Sequence, residues 1–475
     1  MESQEKSALK KKIVVGVLLT FFLTGMLTLA FNIQPAKASG TIYIQADGNV
    51  DPPTAPIQRD GDVYTFTDNI YDSIWVMKDN IAIDGAGYTL QGTTSIVQGI
   101  RLYGRAGVTV QNIKIKGFQN GIVLDGYSNN TSIFGNTITN TINGVWLKYS
   151  SSNSVSWNNI TANDYGIRLE HSSSNSIIGN TITNYRGIYL YDSSSNSING
   201  NMMTNIYYGI WLDSSANFNN ISGNNITANN NSGIALSSSS SNNIIQNNIA
   251  NNGEGISLSY SSSNRIYHNN LKNNTQQVYS LGSTNIWDNG YPSGGNYWSD
   301  YTGVDVNSDG IGDTPYDINA NDQDRYPLMA PFNMFNAGTW NGTAYNINII
   351  SNSTLSGFYF NPDEGVFFRF NVTGGDGTGG FCRITIPKNL LWVDDGWTII
   401  VGDQQITDYG IISDGNFTYI YFSYNHSTRT VTIQGTHVIP EFPSAMILPL
   451  FMILSTIAVA FAAKKRNDKG ATPIF

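Results

Sequence analysis

The sequence predicts an all-β protein in which a parallel β-helix, a solenoid of roughly 22-residue coils, precedes a smaller antiparallel β-sandwich. Three observations predict it. A short phrase recurs eight times, at Gly99, Gly121, Gly144, Gly166, Gly187, Gly209, Gly233 and Gly255, with spacings of 22, 23, 22, 21, 22, 24 and 22 residues. Within each copy, apolar and polar residues alternate for three to five positions before Gly, Asn or Ser intervenes, which is the grammar of strands. Beyond about residue 332 the period is gone, and short alternating runs at turn-broken intervals replace it.

Stacking the copies aligns four apolar columns. They run through Ile100, Ile122, Val145, Ile167, Ile188, Ile210, Ile234 and Ile256; through Leu102, Leu124, Leu147, Leu169, Leu190, Leu212, Leu236 and Leu258; from Ile133 through Val155 and Ile177 to Ile266; and from Ile138 through Ile160, Ile182 and Met203 to Leu271. Two asparagine columns are expected at the corners, one from Asn130 through Asn153 and Asn175 to Asn264, the other from Asn136 through Asn158 and Asn180 to Asn269. Asparagine tolerates left-handed backbone at a bend, and stacked amides can bond to one another up a ladder. A disordered polar segment would lack the Ile and Leu columns.

The phrase GIxLxxSSxNxIxxNxIxxN resembles the NosD-like right-handed parallel β-helix family, related to carbohydrate-binding and sugar-hydrolysis β-helices, over roughly Ile42 to Met329. The resemblance implies a right-handed solenoid. Function does not follow from it, because such a scaffold carries many unrelated sites.

In chain order, residues 1–38 read as a signal peptide: Lys6, Lys10, Lys11 and Lys12 precede an apolar run from Ile13 to Phe31, and Ala36-Lys37-Ala38 offers a cleavage site; the length of the run leaves an uncleaved membrane anchor as the other reading. Residues 39–98 form an N-terminal cap and first coils, since a solenoid's open end presents unpaired strand edges. Residues 99–290 carry the repeats. Residues 291–331 form a C-terminal cap, and 332–437 the sandwich. At 438–475, Ile439-Pro440-Glu441-Phe442-Pro443 resembles the PEF-type sorting signals of archaeal surface proteins, which implies archaeosortase processing, with a plain stop-transfer helix as the alternative reading. An apolar span to Ala463 follows, long enough to cross a bilayer, then Lys464, Lys465 and Arg466, which orient the body of the protein outward.

Between those ends, residues 39–440 hold 16 basic and 30 acidic side chains, a net charge of −14, which excludes nucleic acid as a partner. The single cysteine, Cys382, excludes an internal disulfide and shares the parity of Ile384 and Ile386, so a buried packing role is expected. Twelve Asn-x-Ser/Thr sequons, Asn159, Asn225 and Asn341 among them, make glycosylation of an exported chain an expectation.

Candidate chemistry lies on the outward positions of the repeat strands. The residue between each inward Ile and Leu points out, giving Arg101, Val123, Trp146, Arg168, Tyr189, Trp211, Ala235 and Ser257, with Tyr165 and Tyr208 just before their glycines. Trp146, Arg168, Tyr189 and Trp211, with Tyr165 and Tyr208, would expose an aromatic strip on which sugar rings can stack. Beside it, Glu170, Asp192 and Asp213 are the candidates for a glycoside hydrolase or polysaccharide lyase, because hydrolysis needs two carboxyls about 5 to 9.5 Å apart. The same acids read equally as halves of ion pairs, Lys148 with Glu170 and His171 with Asp192. In the C-terminal cap, Asp305, Asn307, Asp309 and Asp313, with the Ile311 carbonyl, take the positions 1, 3, 5, 9 and 7 of a calcium loop, although Tyr316 stands where the twelfth position wants an acid. An Asp/Asn/Gly turn closing the last coil is the other reading of that segment. The family name is tied to copper delivery. Copper wants clustered His, Cys or Met, and the four histidines and the adjacent Met202 and Met203 offer no such cluster. The sequence thus points to an anchored surface protein that binds polysaccharide or glycoprotein glycans or serves the envelope structurally, with a carbohydrate-cleaving enzyme as the alternative.

Overall fold

The computed structural model describes residues 40–93, 97–161, 163–183, 185–204, 207–340 and 342–439. Among them every regular element is a strand. Each coil folds as three short strands, and each strand joins a different sheet. In one coil Tyr165–Glu170 enters the first sheet, Ser176–Ile178 the second and Thr181–Thr183 the third. The three sheets hold twelve, eleven and ten strands, in which each coil pairs in parallel with the coils before and after it.

The expected columns stack in register. Val145, Ile167, Ile188 and Ile210 are successive partners in the first sheet, as are Leu147, Leu169, Leu190 and Leu212. Val155, Ile177 and Ile198 do the same in the second sheet, and Ile160, Ile182 and Met203 in the third. All are buried in one continuous core that runs from Ile42 to Trp298. Each such side chain stabilises the fold by roughly 1.5–3 kcal/mol on leaving water.

The corners depart from expectation in two ways. The ladder asparagines from Asn136 to Asn269 do not take the left-handed conformation; the residue before each one does, as at Ser152, Ser174, Trp157 and Gly179. The asparagine itself turns inward and satisfies backbone groups that a sharp bend leaves without ladder partners. Asn180 shows how: its Oδ1 accepts from the Asn158 backbone N–H and Nδ2, both at 3.0 Å, while its own Nδ2 donates to the Val155 carbonyl at 2.9 Å and to Asn201 Oδ1 at 3.0 Å. The second departure is Asn130. An extra residue after Asp125 shifts the register, so Asn130 sits at the left-handed position and Thr131 takes the ladder place, donating its N–H to Asn153 Oδ1 at 2.9 Å.

Both ladders end on carboxylates. Asn296, the last rung of one, donates its N–H to Asp324 Oδ2 at 2.7 Å, and Asn285, the last of the other, donates its N–H to both oxygens of Asp322 at 3.2 and 3.1 Å. A carboxyl group suits a final rung because its oxygens accept the last N–H and it carries no amide N–H that would need a further rung. Asp324 also accepts from the indole of Trp298 at 2.8 Å, and Tyr316 stacks on that indole at 4.2 Å, so aromatic rings close this end of the core. Gly295 has no alternative: a Cβ there would lie 1.9 Å from the Asp324 carboxylate. At the other end Val50–Asp51 pairs antiparallel with Ile42–Ile44 and covers the first sheet's edge.

Residues 332–439 form two five-stranded antiparallel sheets around a second core that contains Cys382, Ile384 and Ile386. Burial pushes the Cys382 thiol up to about 11, as fits a packing residue. Two long strands, Phe332–Trp340 and Thr343–Ser351, open this region. The signal segment expected at 1–38 lies outside the described residues, as does 438–475 apart from Val438 and Ile439. Among the described residues no helix is long and apolar enough to cross a membrane.

Candidate functional site

The outer face of the first sheet is where the coils differ. Reading across successive strands, one column runs Tyr43, Trp75, Arg101, Val123, Trp146, Arg168, Tyr189, Trp211, Ala235 and Ser257. Beside it stand Tyr165, Arg186 and Tyr208, also in register. Alternation within a strand puts the first column outside because the apolar neighbours of each member are inside, whereas Tyr165, Arg186 and Tyr208 share the parity of the inward Ile and reach the outer face because alternation breaks at the glycine that follows each.

All six sequence-predicted binding residues come together here. Tyr189 lies 4.7 Å from Trp211 and 5.4 Å from Tyr165, and Tyr208 stacks on Trp211 at 5.2 Å. The Arg168 guanidinium lies over Trp146, Tyr165 and Tyr189 at 5.2, 5.0 and 5.9 Å. The strip is not the open one expected. Tyr189 is only 8 % exposed, because rings and guanidinium groups one strand apart cover one another. Burial, then the Asp213 carboxylate that accepts the Tyr189 hydroxyl at 3.2 Å, holds that phenol above its ordinary range. Tyr189 is therefore a neutral wall of the site. What remains accessible is the rim of Trp146, Arg168, Tyr165, Tyr208 and Trp211, all half-buried.

Sequence reasoning missed part of this face. Arg186 packs over Tyr165 and Tyr185 at 4.7 and 4.8 Å, and Tyr185 stacks on Tyr207 at 5.1 Å. Tyr43 and Trp75 extend the column past the first repeat. Their signal was present in Ile42-Tyr43-Ile44 and Ile74-Trp75-Val76, alternating triplets that lack the glycine phrase.

The acids are engaged singly. Glu170 is not paired with Lys148; Arg168, two residues away on the same strand, reaches it through Nε at 2.8 Å and through Nη2. Lys148 instead lies over the Trp146 and Tyr149 rings at 5.6 and 5.8 Å. A same-strand partner wins because it needs no long lysine chain ordered across strands. Asp192 contacts His171 Nδ1 at 2.9 Å, and Asp213 accepts from Tyr189 and from Ser214 at 3.2 Å. Glu170 and Asp213 are separated by Tyr191 in the register, about two strand spacings or roughly 10 Å. Each carboxyl thus has a partner on this face, and none is set as a free acid opposite a free base.

The calcium-loop residues also lie close together, but their oxygens face their own backbone. Asp305 accepts from the N–H groups of Asp309 at 3.0 Å and Gly310 at 2.8 Å, Asp309 from Ile311 at 2.9 Å, and Asp313 from Val306 at 2.6 Å. Asn307 Nδ2 approaches Asp309 at 3.4 Å. Burial, with the charges of Asp309 and Asp313 nearby, raises the Asp305 carboxyl. So disposed, the residues make an Asp/Asn/Gly turn held by its own backbone N–H groups; among the described residues no group of three His, Cys, Asp or Glu side chains is set to hold a metal. His268 is buried, stacked on Phe332 at 4.5 Å and 3.0 Å from the Ser293 carbonyl, and burial pushes it down to about 4. Met203 is inside the core and Met202 outside it.

The profile of a family described as "Periplasmic copper-binding protein (NosD)" matches residues 60–186 and 181–303. The chain belongs to the NosD family. The match spans the coils that carry the aromatic face and stops before the sandwich. No curated protein matches the chain by sequence. Among solved structures, the NosD-family chain is similar to the periplasmic alginate epimerase AlgG, at 16 % identity over 51 % of this chain and 72 % of that one, TM-score 0.33. It is similar also to the A-module of the Azotobacter vinelandii mannuronan C-5 epimerase AlgE4, at 14 % identity over 52 % and 87 %, TM-score 0.34. A third likeness is to DFA-IIIase from Arthrobacter chlorophenolicus A6, at 12 % identity over 47 % and 56 %, TM-score 0.32. These are likenesses of fold.

Proposed function

We propose that this NosD-family protein is an exported, envelope-associated β-helix that binds glycans through the outer face of its first sheet, without cleaving them. The observation that carries the reading is the aromatic and arginine cluster from Trp146 to Trp211, built on four consecutive coils. Half-buried indole and phenol rings give sugars apolar faces to stack on, and Arg168 and Arg186 give donors for ring hydroxyls. Export follows from the signal segment read in the sequence and accords with a family described as periplasmic. Retention at the cell surface through the C-terminal span, with archaeosortase exchange at the PEF-type motif, belongs to the same reading and rests on the sequence. The test is a glycan array probed with the intact chain and with a Trp146→Ala/Trp211→Ala variant. Retention by the parent and its loss in the variant is the expected result; retention by neither, or equally by both, overturns the reading.

The enzymatic alternative keeps Glu170, Asp192 and Asp213. It is supported only by their proximity to the aromatic face, and it requires reducing-sugar or unsaturated product from a retained glycan that Glu170→Gln abolishes. Calcium at Asp305, Asn307, Asp309, Ile311 and Asp313 is supported by spacing alone. Binding there would exchange carboxylate–amide bonds for ion contacts, and a calcium-dependent rise in Tm lost in Asp309→Ala is the check. The donor set gives no support to copper.

A further inference from the structure

The same outer column has a second, separate cluster at its N-terminal end. Tyr43 and Trp75 are register partners with rings 5.8 Å apart, edge to face, and Trp75 is in turn the partner of Arg101. The Arg101 guanidinium lies 4.7 Å from the Trp75 ring and 5.4 Å from the ring of Tyr103, itself 60 % exposed. With Met77 and Arg105 these residues line an open cleft of about 540 Å³. Val123 separates the cleft from the Trp146 cluster along the column.

The arginines of this face are not equivalent. Arg168 reaches Glu170, Arg186 reaches Asp164 at 2.8 Å, and Arg105 reaches Asp79 at 3.6 Å. Among the described residues Arg101 has no carboxylate partner, and its buried Nε has no hydrogen-bond partner. The Nε of Arg186 is buried and unpartnered too, but Arg186 has Asp164 beside it, whereas the Arg101 guanidinium is packed against rings with no acid to compensate its charge. Its planar fork matches the two oxygens of a carboxylate or sulfate, and the rings around it are the wall on which a pyranose would stack.

We propose that this cleft is a subsite for an acidic sugar, a glycan unit bearing a carboxylate or a sulfate, with Arg101 holding the anion and Tyr43, Trp75 and Tyr103 holding the ring. The proposal rests on the glycan reading above and narrows it: the chain that lies along the first sheet carries negative charge at its Arg101 end. A protein with an otherwise acidic exterior then selects its ligand by an unpaired guanidinium set among rings and not by overall charge.

Affinity electrophoresis of the intact chain through gels containing polygalacturonate, dextran sulfate or neutral dextran tests it. Arg101→Gln should weaken retention by an acidic polymer roughly tenfold or more, with retention by dextran unchanged, and Arg101→Lys should fall between. The polymer whose retention drops identifies carboxylate or sulfate as the anion. Tyr103→Ala, an exposed position, should weaken the same polymer's retention and serves if Arg101→Gln fails to fold. Failure of the parent to prefer either acidic polymer overturns the proposal, and so does unchanged acidic retention in folded Arg101→Gln and Tyr103→Ala. Retention by dextran alone would leave the wider glycan reading standing. Loss of acidic retention on changing Arg101, but not on changing Trp146 and Trp211, would leave the subsite standing and remove the central cluster.

Discussion

The strand Tyr208–Asp213 and the two that follow it, Ser232–Ser237 and Glu254–Ser259, are the same strand on the inside and different strands on the outside. Inside, Ile210, Ile234 and Ile256 stack in register, as do Leu212, Leu236 and Leu258, all buried. Outside, Trp211 is followed by Ala235 and Ser257, and Tyr208 by Ser232 and Glu254. These two coils show that the solenoid stacks without an aromatic residue at the positions of Trp211 and Tyr208. Trp146, Tyr165, Tyr189, Tyr208 and Trp211 are therefore not demanded by the fold, and their confinement to neighbouring coils is a feature to be explained by binding.

The largest effects are expected in the interior. Asn201→Ala removes the acceptor of the Asn180 N–H and side-chain amide, and the donor to the Ile177 carbonyl. It should cost roughly 2–4 kcal/mol, since buried backbone groups lose their partners. Asn247→Ala, in a coil without the aromatic face, should cost the same, because its ladder bonds are the same. Denaturant unfolding measures both; a large inequality would mean that the interiors are not equivalent.

On the outer face, Trp211→Ala should weaken glycan retention by about 2 kcal/mol, some thirtyfold, as loss of a central aromatic contact does. Ala235→Trp, which extends the column by one coil, should leave folding intact and either strengthen retention or leave it unchanged. Titration of retention with each variant provides the measurement.

At the end of the solenoid, burial raises the Asp324 carboxyl to about 7, so the folded state holds a proton that the unfolded chain releases near 4. That contribution is complete below about pH 4 and is lost as pH rises through about 7. His268, pushed down to about 4, acts oppositely over part of the range, its contribution fading as pH falls below about 6.5. Asp324→Asn should therefore remove a loss of stability between about pH 4 and pH 7 that the parent shows, and Tm against pH for the two proteins reads the difference.

The smallest effect is expected from Glu170→Gln. Its ion pair with Arg168 is partly exposed, so stability should change by about 1 kcal/mol or less. Glycan retention should persist, because Arg168 remains among the rings.

The repeat made the interior legible. A strict period reports positions that every coil must satisfy, which is why the four apolar columns and the aromatic cluster could be placed by counting. Asn130 misled because one inserted residue after Asp125 moves the corner without disturbing Ile133. The Asn left-handed assignment failed for a different reason: propensity favoured asparagine at the bend, but burying it to satisfy the backbone was worth more. Arg168 and Glu170 pair along one strand, a choice that column alignment across strands does not display. Asp322 and Asp324 fall beyond the last repeat, so their role as final rungs was invisible until Asn285 and Asn296 were seen to need acceptors.

Trp157 offers the most direct test of the account. It is 70 % exposed, more open than Trp146 or Trp211, yet stands at a corner between the second and third sheets. Hydroxyl-radical footprinting of the intact chain with and without a retained glycan should show protection at Trp146, Tyr165 and Trp211 and none at Trp157. Equal protection at Trp157, or none at Trp146 and Trp211, would contradict binding on the first sheet.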